Sequence, residues 1–236
     1  MKALIISGSP RTNGNTAHMA AAFCRGAEEA GITVDSINAQ QANIRPCRGC
    51  LRCNLIKYCA IQNDDWPDMS RRIREADILV FATPIYFHHM SAPMKLILDR
   101  FRSFVRVRLT EGPNSYTPHE PWKKRFILFA AMGSSDSADA APIIDLFTFM
   151  VRIMGAGNTL DTIAATRLAV NRQIAMNADE LAAQYEKLGL SASLAADDAA
   201  RNKAILSQCY VLGTGRAKRA RAKDGDLCSR GTGSAP

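Results

Sequence analysis

The chain predicts an α/β fold: a five-stranded parallel sheet in the order 2-1-3-4-5, wound on both faces by helices and followed by further helices and a basic tail. Three observations carry this. Short apolar runs alternate with helical periodicities over the first 165 or so residues, the pattern of strand–helix–strand crossovers. The first run, Ala3-Leu4-Ile5-Ile6, breaks at Ser7-Gly8-Ser9-Pro10 into a hydroxyl- and glycine-rich turn that opens a helix. The third run, Ile78–Ala82, ends in the same way at Thr83-Pro84. In a sheet of this order the loops 7–16, 83–91 and 132–138 leave neighbouring strand ends and converge on one crevice.

The elements follow in order along the sequence. Strand one is Lys2–Ser7, and a helix from about Asn15 to Ala30 stops at Gly31. Strand two, Thr33–Asn38, alternates Val34 and Ile37 with polar residues and leads into an irregular segment, 39–64. Asp65 is the expected N-cap of a helix over 66–75, with Pro67 in its first turn. Strand three is Ile78–Ala82; Ser91 and Pro93 open a helix reaching about Val105. Residues 109–123, rich in Pro, Gly and Tyr, read as a loop. Strand four is Arg125–Ala131, a helix spans about 140–154 before Gly155 and Gly157, and Thr159–Ala164 is a weaker fifth strand. Two amphipathic helices, 177–189 and 195–211, close the folded part. The expected division is one domain over 1–212 with a cysteine-rich insertion at 39–64, then a disordered tail over 213–236.

At 236 residues, 47% hydrophobic and 22% charged, the composition is that of a globular domain with a sizeable core. No apolar run is long enough to span a membrane, and the N-terminus lacks the pattern of a secretory signal, so a cytoplasmic protein is expected. The net charge is +8, of which the tail over 213–236 carries +4. That tail has no aromatic residue for stacking on bases, so it reads as a solvated end and no specific nucleic-acid partner is expected.

The first turn has the makings of a site for one phosphate. It offers backbone N–H groups, the hydroxyls of Ser7, Ser9, Thr12 and Thr16 and the charge of Arg11, beside the positive end of a helix dipole. A triphosphate loop is excluded because five residues separate Gly8 from Gly14 and Asn15 stands where a lysine is needed. The third glycine of a dinucleotide loop is absent as well. A single terminal phosphate, as in flavin mononucleotide (FMN), fits better.

Gly8-Ser9-Pro10-Arg11-Thr12-Asn13-Gly14-Asn15-Thr16 resembles the FMN phosphate loop of the flavodoxin-like NAD(P)H-dependent FMN reductase family. A second stretch that resembles it runs from Asp77 to Phe87 and continues through Met90-Ser91-Ala92-Pro93-Met94-Lys95 and Asp99-Arg100. The resemblance implies that Ser9, Arg11, Asn13, Gly14, Asn15 and Thr16 hold the phosphate. It implies that Pro84, Ile85, Tyr86 and Phe87 carry the isoalloxazine, and that Gly133 and Ser134 belong to a third flavin loop. On their residues alone, Tyr86 and Phe87 could equally pack in a core, and His88 and His89 read as exposed loop residues rather than proton donors. No side chain is assigned a catalytic role, because the flavin itself carries the redox chemistry.

Cys47, Cys50, Cys53 and Cys59 form the spacing C-x2-C-x2-C-x5-C, with Gly49 in the turn and Arg45, Arg48, Arg52 and Lys57 interleaved. Three thiolates at intervals of three can take three corners of a cubane, and the fourth can reach the last iron. A zinc site, or thiols that bind nothing, remain open readings. Within flavodoxin-like proteins the run, followed by Asp64-Asp65, resembles the iron–sulfur flavoproteins. That resemblance implies a 4Fe-4S cluster exchanging electrons between a ferredoxin-like donor, FMN and a small-molecule acceptor. It also implies a homodimer or homotetramer. The alternatives are a cluster-free NAD(P)H-dependent FMN or quinone reductase, and a non-enzymatic flavodoxin-like binding module. Cys24, Cys209 and Cys228 have no spacing signal.

Overall fold

A computed structural model describes residues 1–215. The strands are β1 (Lys2–Ser7), β2 (Thr33–Asn38), β3 (Ile78–Tyr86), β4 (His89–Met90), β5 (Val105–Arg108), β6 (Ser115–Pro118), β7 (Arg125–Ala131) and β8 (Thr159–Ala165). The helices are α1 (Asn15–Glu29), α2 (Cys53–Ile56), α3 (Trp66–Glu75), α4 (Ala92–Arg100), α5 (Ala141–Ile153), α6 (Ala178–Lys187) and α7 (Ala195–Gly213). The main sheet runs β2-β1-β3-β7-β8, all parallel, which is the expected order.

Strand residues alternate between two cores, as the period of two requires for a sheet buried on both faces. Leu4, Ile6, Leu79, Phe81, Phe126 and Leu128 face one core with α3, α4 and α5 residues such as Trp66, Ile73, Met94 and Phe147. Ala3, Ile5, Ile78, Val80, Ile127 and Phe129 face the other, under Met19, Ala22 and Phe23 of α1 and Cys209 and Leu212 of α7. The helix α1 is pressed against α7: a Cβ on Gly26 would clash with the Tyr210 carbonyl oxygen, and one on Gly213 with that of Phe23.

Four expectations are corrected. The third strand runs to Tyr86 and turns back at Phe87-His88 to pair with β4, so Pro84–Tyr86 belong to a hairpin rather than a free loop. The helix after Ser91 ends at Arg100, and a 3-10 turn over Phe101–Phe104 replaces its last turn. Residues 109–123 are not all loop, because Ser115–Pro118 pairs antiparallel with Val105–Arg108. Asp65 stands at the N-cap position of α3 as expected, but its side chain makes no capping bond; it accepts from the Asn43 N–H, and Asp64 takes the Trp66 N–H instead. The tail expected to be disordered lies outside the described residues from 216 on.

Candidate cofactor site and cysteine pocket

Register places Ser7 beside Ala82 and Pro84 beside Ala131, so β1, β3 and β7 end on one rim. The first two loops are stitched together at Gly8. Its carbonyl accepts from Gln40 Nε2 (3.2 Å) and from Ser91 Oγ (2.6 Å), while its N–H donates to the Ala82 carbonyl. Thr83 Oγ1 accepts the Ser91 N–H at 3.2 Å, tying the start of α4 to β3. A Cβ on Gly8 would stand 2.7 Å from Ser91 Oγ and 2.8 Å from Met94 Cβ, so only glycine allows this approach. Gln40, Thr83 and Ser91 were not legible as supports, because each acts on a backbone group remote in sequence.

Beyond Gly8 the chain curls tightly. Ser9 Oγ accepts the Arg11 N–H and donates to the Arg11 carbonyl, both at 3.1 Å. Gly14 N–H reaches the same carbonyl, and a Gly14 Cβ would be 3.0 Å from Arg11 Cβ. Arg11 and Asn13 are exposed, whereas Ser9, Gly14 and Thr16 are buried. Among the described residues, the backbone N–H groups of Thr12, Asn13, Asn15 and Thr16 meet no protein acceptor. Free N–H groups at a helix start, with a guanidinium beside them, suit an anion.

Asn15 stands in the loop, but its amide is turned to a different task. Nδ2 donates to the carbonyls of Leu168 (3.3 Å) and Val170 (2.9 Å), and Oδ1 accepts the Ile174 N–H (3.0 Å). What Asn15 has left for an anion is its backbone N–H.

Tyr86 and Phe87 do not pack in a core: Phe87 is fully exposed and Tyr86 half exposed. Phe87 and His88 form the hairpin tip, both left-handed at φ +47° and +59°. His88 Nδ1 lies 3.4 Å from Asp139 Oδ1, which brings the tip to the turn after the third loop. In that loop Met132 bonds to Ala165 and Leu168, and the Ser134 carbonyl accepts the Arg167 N–H. Gly133 and Ser134 therefore sit against the segment that follows β8.

The cysteines form a second site. Cys47, Cys50, Cys53 and Cys59 all line one pocket of about 190 Å³, with Arg100, Arg102 and Ser103 across from them. Its base is a buried clamp. Arg100 Nη1 bonds to Asp64 Oδ2 (2.6 Å) and the Arg45 carbonyl (2.8 Å), and Nη2 bonds to the Ile61 carbonyl (3.1 Å). Both side chains are wholly buried. Burial alone would push the Asp64 carboxyl up, but Arg100 and the Arg45 and Trp66 N–H groups outweigh it and hold it below the usual carboxylate value. Arg102 Nη1 approaches Cys53 Sγ at 3.5 Å, and Nη2 bonds to Asn54 Oδ1 at 2.8 Å. Burial pushes the Cys53 thiol up, and Arg102 pulls against that. The donor set and its cationic surroundings suit an iron–sulfur cluster. Among the described residues, however, no three Cys, His, Asp or Glu side chains stand close enough together to hold a metal ion. No described helix is long and apolar enough to cross a membrane.

Comparison with known proteins agrees with the fold. An iron–sulfur flavoprotein of Archaeoglobus fulgidus is 36% identical over 100 residues, 42% of this chain and 45% of that one. The chain thus spans about half the length of this and a second archaeal iron–sulfur flavoprotein that it matches. A Bacillus subtilis protein whose name provisionally makes it an NAD(P)H-dependent FMN-containing oxidoreductase, YwqN, is 29% identical over 156 residues, 66% of this chain and 80% of that one. In structure, an NAD(P)H:quinone oxidoreductase from Methanothermobacter marburgensis superposes with a TM-score of 0.62 over 92% of this chain and 96% of that one, at 13% identity. At that identity the likeness speaks for the fold. Residues 1–168 match the family described as NADPH-dependent FMN reductase, and the chain belongs to that family.

Proposed function

We propose that the chain is an FMN-dependent oxidoreductase that draws electrons from a reduced nicotinamide and delivers them to a small-molecule acceptor. The observation that carries this is the anion-sized turn at Gly8–Thr16, with four free N–H groups, on the rim shared by three strand ends. FMN would supply the redox chemistry; the protein's part is to bind it, orient it and shape access to it. The N–H groups of Thr12, Asn13, Asn15 and Thr16 would take the phosphate, with Arg11 adding charge and Ser9 and Gly14 fixing the turn. Pro84, Ile85, Tyr86 and Phe87 would lie along the ring, and Gly133 and Ser134 would close its other side. Anaerobic addition of NADPH or NADH to the FMN-loaded protein should bleach the flavin absorbance. A protein that takes up no FMN, or a bound flavin that neither nucleotide bleaches, overturns the reading.

Within this proposal Cys47, Cys50, Cys53 and Cys59 hold a 4Fe-4S cluster. Support comes from their common pocket, the absence of any acidic side chain from its lining, and the names of the archaeal relatives. The cluster-free reductase is favoured by the spread of the thiols and by the longer alignment with YwqN. Iron and acid-labile sulfide analysis of anaerobically purified protein decides between them: about four of each per chain for the cluster, neither for the plain reductase. A ferredoxin-like donor, a homodimer or homotetramer and a cytoplasmic location complete the proposal. Solution scattering of a monomer would remove the oligomer.

A further inference from the structure

The family match ends at Leu168, yet the chain continues through a loop, a 3-10 turn and two helices to Gly213. We propose that this C-terminal extension is a clamp on the phosphate loop, and that Gln173 is its positioning residue, acting through Asn15.

The geometry is that of a loop held from two sides. From inside, buried Gln173 folds its amide back on its own segment. Oε1 accepts the Val170 N–H (3.1 Å), and Nε2 donates to the Arg167 carbonyl (2.6 Å) and to Tyr185 Oη (2.9 Å). From outside, Asn15 at the first turn of α1 bonds to Leu168 and Val170 through both amide hydrogens and to Ile174 through its amide oxygen. Gln173 and Asn15 thus grip the same arc, residues 167–174, sharing Val170: one takes its N–H, the other its carbonyl.

The extension anchors Gln173 firmly. Tyr185 Oη donates to Asp198 Oδ2 (2.6 Å), and Asp198 is buried between Arg167 (3.0 Å) and Arg201 (2.8 Å). Asn202 Nδ2 donates to the Gln173 carbonyl. The capping box of Asn177 with Glu180 starts α6, and Tyr185 is buried two turns further along it. Downstream, the contact of Gly26 with α7 fixes the far end of α1. One helix is therefore held at both ends by residues the family match does not include, and its N-terminus is the anion turn. A cradle of backbone N–H groups binds well only when its geometry is set before the ligand arrives, and the Asn15 side chain bonds only to this arc.

The inference rests on FMN phosphate occupying the Gly8–Thr16 turn, and the experiment separates the two. Dissociation constants for FMN and for riboflavin, which lacks the phosphate, are measured by flavin fluorescence for the wild type, Gln173→Ala, Asn15→Ala and the double variant. Melting temperatures are recorded alongside. Tyr185→Phe, which removes only one oxygen from the network, serves as the milder probe if Gln173→Ala fails to fold. The expected result is about a tenfold loss of FMN affinity, about 1.4 kcal/mol, for each single variant. Riboflavin affinity should stay within about twofold, and the double variant should be little worse than either single. Equal losses for FMN and riboflavin would mean general damage and overturn the clamp. So would unchanged FMN affinity in the single variants, or losses that multiply in the double variant, since independent effects add in free energy. A wild type that binds no FMN would remove the phosphate assignment itself, and the clamp with it.

Discussion

The Gly8–Thr16 turn and the cysteine loop are both rich in small residues and contain arginine and glycine, yet they are held in opposite ways. Gly8–Thr16 is fastened along its length: at Gly8 by three bonds, at Ser9 and Gly14 by the Arg11 backbone, at Asn15 by the C-terminal arc. The cysteine loop is fastened at its ends, where Arg100 and Asp64 join Arg45 to Ile61, and at one inner point through Arg102, Cys53 and Asn54. Arg48, Gly49, Cys50, Leu51 and Arg52 between them are exposed. The difference fits what each loop is proposed to bind. Backbone dipoles must be oriented beforehand, because an anion gains little by rearranging them. Thiolates can be drawn together by the metal, whose binding free energy folds its own ligand loop.

If so, the ends of the cysteine loop should matter most to stability. Arg100→Met leaves Asp64 charged and buried without its partner, a change that costs about 3–5 kcal/mol. Calorimetry should show a melting temperature lower by about 6–20 °C, with limited proteolysis cutting between residues 45 and 61. A loss no larger than that of a surface ion pair would mean the loop is not anchored there. The carboxyl of Asp64 is held below its ordinary value, so its contribution is complete above the unfolded value near 3.8 and is lost as pH falls through the lower, folded one. Asp64→Asn should therefore lower stability at neutral pH and flatten its acid limb.

A pair of glycine substitutions tests the contrast directly. Gly8→Ala drives a Cβ into Ser91 and Met94 with no room to give, and overpacking of this kind costs about 1–3 kcal/mol. Because Ser91 is also bonded to Gly8, FMN affinity should fall with it. Gly49, at φ +62° and with nothing within 4 Å of a Cβ, carries only the left-handed backbone penalty of about 1–2 kcal/mol for an alanine. Gly49→Ala should leave FMN affinity unchanged in a titration of the two variants side by side. Equal loss of FMN binding in both would erase the distinction between the loops.

The same contrast explains what the sequence made legible. Strand order and a sheet buried on both faces could be read because each depends on local periodicity, and the tight turn after β1 because it is a contiguous string, Gly8–Thr16. The cysteine spacing was equally plain, but spacing says only that the thiols can converge. Whether they do depends on Arg100 and Arg102, whose partners lie 36 to 55 residues away. The role of Asn15 was hidden for a similar reason: its partners are more than 150 residues distant. Asp65 looked like the cap of α3 by position, and Asp64 took that bond because the Asn43 N–H claims Asp65. The hairpin at Phe87-His88 escaped notice because neither residue is one that tight turns favour.

That hairpin supplies the mildest test, on the rim where the two anchoring schemes meet through α4. Two consecutive residues with left-handed φ suit Asn-Gly, and holding Phe and His there costs on the order of 1–3 kcal/mol each. Phe87 recovers none of it from packing, since its side chain is fully exposed, and the His88 contact with Asp139 is an exposed one worth at most about 1 kcal/mol. Strain kept without a packing return points to use at the site rather than to folding. Phe87→Asn with His88→Gly should raise stability by about 1 kcal/mol, or about 2–4 °C in melting temperature, while slowing NAD(P)H-driven flavin bleaching. A higher melting temperature with undiminished bleaching would separate the strained tip from the reaction. An unchanged melting temperature would show that the left-handed tip stores no strain.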